Sequence, residues 1–386
     1  MRVTILYPRF THPAIEERYG CWQSQLFLRR AHPEAEWITY EIDDAVSAAA
    51  RQAAGEYCLV VTNPLLLVGG PVALPLAQAL AGAAVAAVPV TNESDQDAQL
   101  AHGIDAYLTI RQFQDHVEER LHQDAPAREL VWSGDPGLYL ASTQFLRSSE
   151  RRAADALTGE ITVVSERVYV HRWTKLRSQS REDLLPQIPP SARRILEFGS
   201  AEGLLGESVK KRQPCRFTGI EIDTVAAAEA RRRLDEVHCG DATSLVRGLS
   251  ERFDCIVGGD VLEHVADPWS FLMDLKRVAM PGAMLLLSIP NVANWAIVAD
   301  LLRGRFDYAY IAIACAGHLR FFARNTISDA LEIAGWTVVS IDRQPPIVNA
   351  EAGALLTRLA DAGIPHDPDE LMAPGFYVRA RNAPAG

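Results

Sequence analysis

Residues 195–206 read Ile-Leu-Glu-Phe-Gly-Ser-Ala-Glu-Gly-Leu-Leu-Gly and carry the clearest chemical signal in the chain. An apolar run from Arg194 to Phe198 predicts a strand, and Leu204 to Lys211 predicts a helix. Between them stands the turn Gly199-Ser200-Ala201-Glu202-Gly203. Glycines at such a turn let the backbone approach a nucleotide-like ligand closely, and the helix N-terminus supplies N–H groups to it. The next strand pattern, Arg216 to Ile220, ends in Glu221. A carboxylate at that strand end can accept both hydroxyls of a ribose.

The elements that must position these residues follow in regular alternation. A short polar turn, Gly240-Asp241-Ala242, comes after Glu236 to Cys239. The apolar strand Phe253 to Val257 runs into Gly258-Gly259-Asp260-Val261-Leu262-Glu263-His264-Val265. A helix from Trp269 to Ala279 stops at Pro281-Gly282, and a strand from Ala283 to Ile289 ends at Pro290-Asn291. Thr326 to Ala334 predicts a helix ending at Gly335. Trp336 to Ile341 makes a sixth strand and Gly375 to Ala380 a seventh, after a helical insertion near residues 350–360. Strands alternating with helices predict an open parallel sheet, which binds ligands at the carboxyl ends of its strands.

Residues 187–382 resemble a class I S-adenosylmethionine-dependent methyltransferase. The branch is that of ubiquinone-type O-methyltransferases and of methyltransferases from polysaccharide and natural-product clusters. The segments that carry the resemblance are 195–206, 218–223, 240–242, 254–267, 285–295 and 318–323. The resemblance implies an α/β fold with a seven-stranded Rossmann-like sheet, its last strand antiparallel, and S-adenosylmethionine as cofactor. Glu197 resembles the acidic residue that organises the methionine end. Gly199, Ser200, Ala201 and Gly203 resemble the loop under methionine and ribose. Ala201 stands where the family usually has its middle glycine, a change that keeps the turn and narrows the approach. Glu221 resembles the ribose acceptor. Ile222 would flank the adenine, and Asp241 would accept from its amino group with Ala242 alongside. Asp241 also reads as a helix N-cap. Asp260 and Val261 sit where the family's fourth strand delivers residues against the sulfonium and the acceptor.

Methyl transfer from a sulfonium is an in-line displacement, so much of its catalysis is positioning. An oxygen acceptor must also lose a proton, and a base titrating near neutrality helps. The resemblance places two histidines. His318, before Leu319-Arg320-Phe321-Phe322, is the first candidate base and His264 the second. The structural alternatives are a lid hydrogen bond for His318 and cofactor contact for His264. Glu263 and His264 are metal-ligand types without a defined third, so no metal is expected. Residues 291–322 hold Asn291, Trp295, Arg303, Tyr308, Tyr310 and Arg320. That mixture suits an acceptor pocket for something polar with a flat or anionic part, and equally an amphipathic lid.

With 386 residues and 48% apolar content the chain can bury sizeable cores in two or three domains. A net charge of −11 argues against a broad nucleic-acid footprint, so no nucleic-acid partner is expected. The six cysteines are scattered without metal spacing, which fits reduced thiols in a cytoplasmic protein. No signal peptide is visible at the start. No charge occurs from Tyr57 to Asn92, and the part 71–90 has the hydropathy of a membrane span. Punctuation by Asn63-Pro64, Gly69-Gly70-Pro71 and Gly82 instead predicts strand, turn, helix and strand.

Residues 1–150 predict a separate α/β domain with strands at 3–7, 36–40, 58–62, 85–90 and 106–110. Asp95-Gln-Asp97 follows a strand as the D-x-D of GT-A glycosyltransferases does, and the pattern faintly resembles such a fold. A docking or dimerisation module is the preferred reading, with a homodimer possible. Residues 151–186 read as a connector, in which Tyr169, His171, Trp173 and Arg181 are candidates for a cofactor lid. The expected function is O-methylation of a small molecule or glycan precursor. The alternatives are a bifunctional glycan-assembly protein that binds a nucleotide sugar, and a non-catalytic cofactor-binding subunit.

Overall fold

The computed structural model describes residues 1–10, 15–80, 82–92, 99, 108–123, 125, 127–172, 180–310, 312–347 and 349–383. The chain divides into two compact units, Met1–Thr174 with Asp307–Ala316, and Lys175–Phe306 with Gly317–Gly386.

The first unit is built on the strands β1 (Val3–Pro8), β2 (Glu36–Tyr40), β3 (Tyr57–Val61), β4 (Leu66–Val68), β5 (Ala86–Thr91), β6 (Ala127–Val131), β7 (Leu138–Ser142) and β8 (Ile161–Arg172). Its sheet runs β2-β1-β3-β7-β5-β8-β4, with β6 paired to β8. The strands β2, β1 and β3 are parallel, and β7 is antiparallel to both of its neighbours. The uncharged stretch forms β3, β4, the helix Ala73–Ala79 and β5, its strands buried within this unit. No helix among the described residues is long and apolar enough to cross a membrane.

Two expectations are corrected here. The boundary expected near residue 150 lies inside the first unit, because β8 pairs with β4, β5 and β6. Tyr169 and His171 therefore belong to a sheet strand and not to a cofactor lid. Tyr169 is fully buried in the core, edge-on to His116 at 5.4 Å. The strand expected over 106–110 does not reach Ile110, which starts a helix whose N-cap Thr109 accepts from the Gln112 amide. Trp173, Asp95 and Asp97 lie outside the described residues.

The second unit contains β9 (Arg194–Phe198), β10 (Arg216–Glu221), β11 (Glu236–Cys239), β12 (Phe253–Gly259), β13 (Ala279–Pro290), β14 (Thr337–Arg343) and β15 (Gly375–Arg381). The order is β11-β10-β9-β12-β13-β15-β14, with β15 antiparallel to both neighbours. This is the expected seven-stranded sheet with an antiparallel last strand. The strands β9, β10, β12 and β13 read as nearly continuous apolar runs because helices cover both faces of a parallel sheet. Gly258 leaves the space that the Phe198 ring fills; a Cβ there would stand 2.0 Å from Phe198 Cζ. From β9 the chain builds β10 and β11 on one side, then β12 and β13 on the other. Strand order reverses between β9 and β12, the switch point where open sheets leave a crevice.

Candidate functional site

Two cavities open at the carboxyl ends of β9 and β12, and both are lined by Gly199. The larger, about 430 Å³, is lined among others by Glu221, Ile222, Asp241, Ala242, Val261 and His264. The smaller, about 120 Å³, is lined by Arg181, Glu197, Ser200, Ala201, Gly259 and Asp260 among others. The turn between them is held in left-handed backbone at Gly199 (φ 73°), Ala201 (φ 45°) and Gly203 (φ 79°). Gly199 has a second constraint, since a Cβ would meet Val261 Cγ2 at 2.3 Å. Ala201 occupies a conformation that costs a non-glycine residue about 1–2 kcal/mol. Glu221 steadies it: the Ala201 amide donates to Glu221 Oε2 at 2.8 Å, and the Asp223 amide donates to Oε1 at 2.8 Å.

Asp241 is both N-cap and cavity wall. Its carboxylate accepts from the amide of Thr243 and from the hydroxyls of Thr243 and Ser244. Partial burial works to raise this carboxyl, and these bonds more than offset it, holding it below its ordinary value. Ala242 opens the helix Ala242–Gly248, so its amide has no acceptor within that helix. Opposite, Glu197 is buried and its Oε2 has no partner. Burial raises its carboxyl to about 8, with Arg181 opposing and Glu221 adding to the rise. An unpartnered buried carboxylate oxygen beside a cavity fits an incoming cation.

Arg181 reaches this cavity from the segment ahead of β9. It bonds Asp260 at 2.9 Å, Ser288 at 2.8 Å, and both oxygens of Asp183 at 3.0 and 2.9 Å. The hydroxyl of Ser288 donates to Asp260 Oδ1, and the Tyr377 hydroxyl donates to Asp183 at 3.2 Å. Asp260, at φ 52°, is thus fixed in left-handed backbone at the end of β12. The sequence reading missed Asp183, Ser288 and Tyr377. Ser288 left a signal, a single hydroxyl in the apolar run of β13.

The two histidines meet. His264 and His318 rings stand edge to face with centroids 4.8 Å apart. His264 lines the larger cavity, while His318 is only 9% exposed and lines neither. His264 Nδ1 lies 3.1 Å from the Gly317 carbonyl. The tautomer that makes this a hydrogen bond carries the proton on Nδ1 and leaves the lone pair on Nε2. Glu263 is buried, both carboxylate oxygens are unpartnered, and burial raises it well above its ordinary value. His318 Nε2 is 3.8 Å from Glu263 Oε1. Glu263, His264 and His318 together could hold a divalent ion, their ligand atoms all lying within 4.8 Å of one another. His318 is the third group that spacing alone did not supply.

The expected acceptor residues scatter. Asn291 is fully buried and donates to the carbonyls of Glu370 and Ala373. Trp295 is fully buried. Both are packing residues, because the segment after β13 turns inward onto residues 370–373. Tyr308 and Tyr310 belong to the first unit, and Tyr310 sits in its core. Arg303 bonds the Ala299 carbonyl and Glu351. Arg320 lies 5.9 Å over the Trp269 ring.

A family described as "Methyltransferase domain" matches residues 169–341. A ubiquinone biosynthesis O-methyltransferase of Maricaulis maris is 31% identical over 120 residues, 28% of this chain and 45% of that protein. A tRNA 5-carboxymethoxyuridine methyltransferase of Escherichia coli is 32% identical over 138 residues, 34% of this chain and 52% of that protein. The chain thus spans about half the length of these curated relatives. Among solved structures, a SAM-dependent methyltransferase from Archaeoglobus fulgidus aligns with TM-score 0.41 and 16% identity, covering 53% of this chain and 94% of that one.

Proposed function

We propose that the C-terminal half of this chain is a class I S-adenosylmethionine-dependent methyltransferase, and that it methylates an oxygen of a small-molecule or glycan-precursor acceptor, with the His264–His318 pair as base. The observation that carries this reading is the pair of cavities joined at Gly199. One offers acceptors for a ribose and an adenine edge, and the other offers Glu197 and Arg181, opposite charges that suit the ammonium and carboxylate of an amino acid. Bound S-adenosylmethionine supplies an electrophilic methyl carbon on a sulfonium. Glu221 would take the ribose hydroxyls, and Asp241 with the Ala242 amide would take the adenine edge. Arg181 and Ser288 hold Asp260 at the end of β12, beside Val261, where the acceptor is received. His264 Nε2 would take the acceptor hydroxyl's proton, so that the oxygen could receive the methyl group while the sulfur–methyl bond breaks with its electron pair left on sulfur, and the ring of His318 limits the imidazole's rotation. The net charge of −11 disfavours RNA as acceptor.

Transfer of tritiated methyl groups to panels of phenolic, sugar and RNA acceptors tests this. His264→Ala is expected to lower turnover by about 10²–10⁴-fold while the affinity for S-adenosylhomocysteine stays within about twofold. Full turnover of that variant at saturating acceptor removes His264 from the mechanism.

A second reading, nucleotide-sugar binding by the first unit, has one observation in its favour. A cavity of about 220 Å³ lies at the carboxyl ends of the parallel strands β1 and β2, lined by Arg9, Thr39, Glu41 and Asp44 among others. Calorimetry with UDP- and GDP-sugars, with and without manganese, tests it, and absence of heat refutes it.

A further inference from the structure

We infer that Asp183 and Tyr377 are positioning residues for the amino-acid end of the cofactor, acting through Arg181. The inference deepens the reading of the smaller cavity as that end and rests on it. All the residues concerned belong to the second unit. Arg181, at φ 49°, opens a tight turn, which the Leu184 amide closes by donating to the Arg181 carbonyl at 3.0 Å. Leu184 is buried in a core cluster with Ile188 and Leu205, and this anchors the turn. Asp183 is thereby folded back against the side chain of Arg181, and its carboxylate accepts from Nε and Nη2.

The sheet supplies the seat. Register places Gly259 of β12 beside Ser288 of β13, and Ser288 beside Tyr377 of β15. Residues paired in this way share one face of the sheet, so the three form a row across three strands. Gly259 leaves that row bare, since a Cβ there would stand 2.6 Å from Arg181 Nη1. The guanidinium lies in the gap. Its Nη2 donates to the Ser288 hydroxyl at 2.8 Å, and from the far end of the row the Tyr377 hydroxyl donates to Asp183 at 3.2 Å. Burial, with the Asp183 carboxylate adding to it, pushes the Tyr377 hydroxyl up to about 12, so it stays a donor through the neutral range.

The result is a guanidinium fixed before any ligand arrives. Its bonds to Asp183, Asp260 and Ser288 use four of its five N–H groups and leave one on Nη1 for a ligand. Arg181 lines the smaller cavity with Glu197. Two aspartates on one guanidinium offset its charge, so it offers a ligand carboxylate direction more than net attraction. A rotamer-rich side chain that is already held has lost the freedom that binding would otherwise cost it. Asp183 supplies that hold, and Tyr377 in turn holds Asp183.

Calorimetry of the full chain with two probes tests this. S-adenosylhomocysteine carries the amino-acid end, and 5′-methylthioadenosine shares its nucleoside and sulfur without it. Tyr377→Phe is expected to weaken S-adenosylhomocysteine about three- to tenfold. Asp183→Asn, which sets an amide N–H against the guanidinium, should weaken it about tenfold or more. Affinity for 5′-methylthioadenosine should stay within about twofold in both, a selectivity that a general loss of structure would not produce. Equal weakening of the two probes, or unchanged affinity for S-adenosylhomocysteine in either variant, overturns the inference. Tyr377→Phe keeps the ring packed against the core and alters no charge, so it decides the matter if Asp183→Asn does not fold. A wild-type chain that binds neither probe sinks the cofactor reading. Hydrogen exchange at Arg181 Nε–H, its signal identified by loss in Arg181→Lys, still decides the hold on the unliganded chain. It should be slow in the wild type and about tenfold faster in both variants, and equal rates in all three refute the hold.

Discussion

Binding of S-adenosylhomocysteine as a function of pH isolates Glu197. Burial raises this carboxyl to about 8, and Arg181 opposes that only in part. An ammonium placed at the unpartnered Oε2 requires the ionised form. With a titration near 8, about nine-tenths of these carboxyls are protonated at pH 7, so binding there releases close to one proton per site. Affinity should rise about tenfold per pH unit as pH approaches 8 and then level off. The effect on folding has the opposite sign. The unfolded carboxyl ionises near its ordinary 4.5, so the unliganded chain loses the contribution of neutral Glu197 as pH rises from about 4.5 to about 8. Calorimetry at pH 6, 7 and 8, in buffers of different ionisation enthalpy, reads both the slope and the proton count. Glu197→Gln should abolish both. A wild-type affinity independent of pH, with no proton released at pH 7, refutes the reasoning.

Glu221→Ala removes the acceptor of two backbone amides together with the proposed ribose partner; its probe affinity should fall about 10- to 100-fold, from a loss of roughly 1.5–3 kcal/mol, and an unchanged dissociation constant contradicts the proposed role. Ala201→Gly relieves a left-handed alanine at φ 45°; after the entropy cost of glycine, thermal unfolding should shift upward by about 1–3 °C, and a downward shift shows that the turn is not strained there. Gly199→Ala drives a methyl group into Val261 at φ 73°; it should weaken the probe about tenfold or more, and undiminished affinity shows that the turn moves aside at little cost.

Much of this site was legible because its logic is local. The strand, turn and helix of residues 194–212 are encoded by an apolar run, spaced glycines and a helix-forming stretch, and Glu221 and Asp241 are marked by the strands that end beside them. What escaped the sequence depends on partners far along the chain. Residues 161–172 were readable as a strand, yet their alternation does not say which sheet receives them, and so Tyr169 and His171 were expected at the cofactor. Arg181 was readable as a candidate, but its bond to Asp260 joins residues 79 positions apart. Asn291 and Trp295 carry the composition of a ligand pocket and are spent on packing. Tyr310 shows the limit most plainly, since nothing in its neighbourhood signals that an aromatic between two segments of one unit is seated in the core of another.

The central claim is that the two cavities meeting at Gly199 form one cofactor site. Calorimetric titration of the full chain with S-adenosylhomocysteine at pH 8, where Glu197 is half ionised on its value of about 8, tests it most directly. The account predicts one site per chain, competition by adenosine, and a large loss of affinity in both Glu221→Ala and Glu197→Gln. No binding heat at millimolar ligand, or binding untouched by both substitutions, contradicts it.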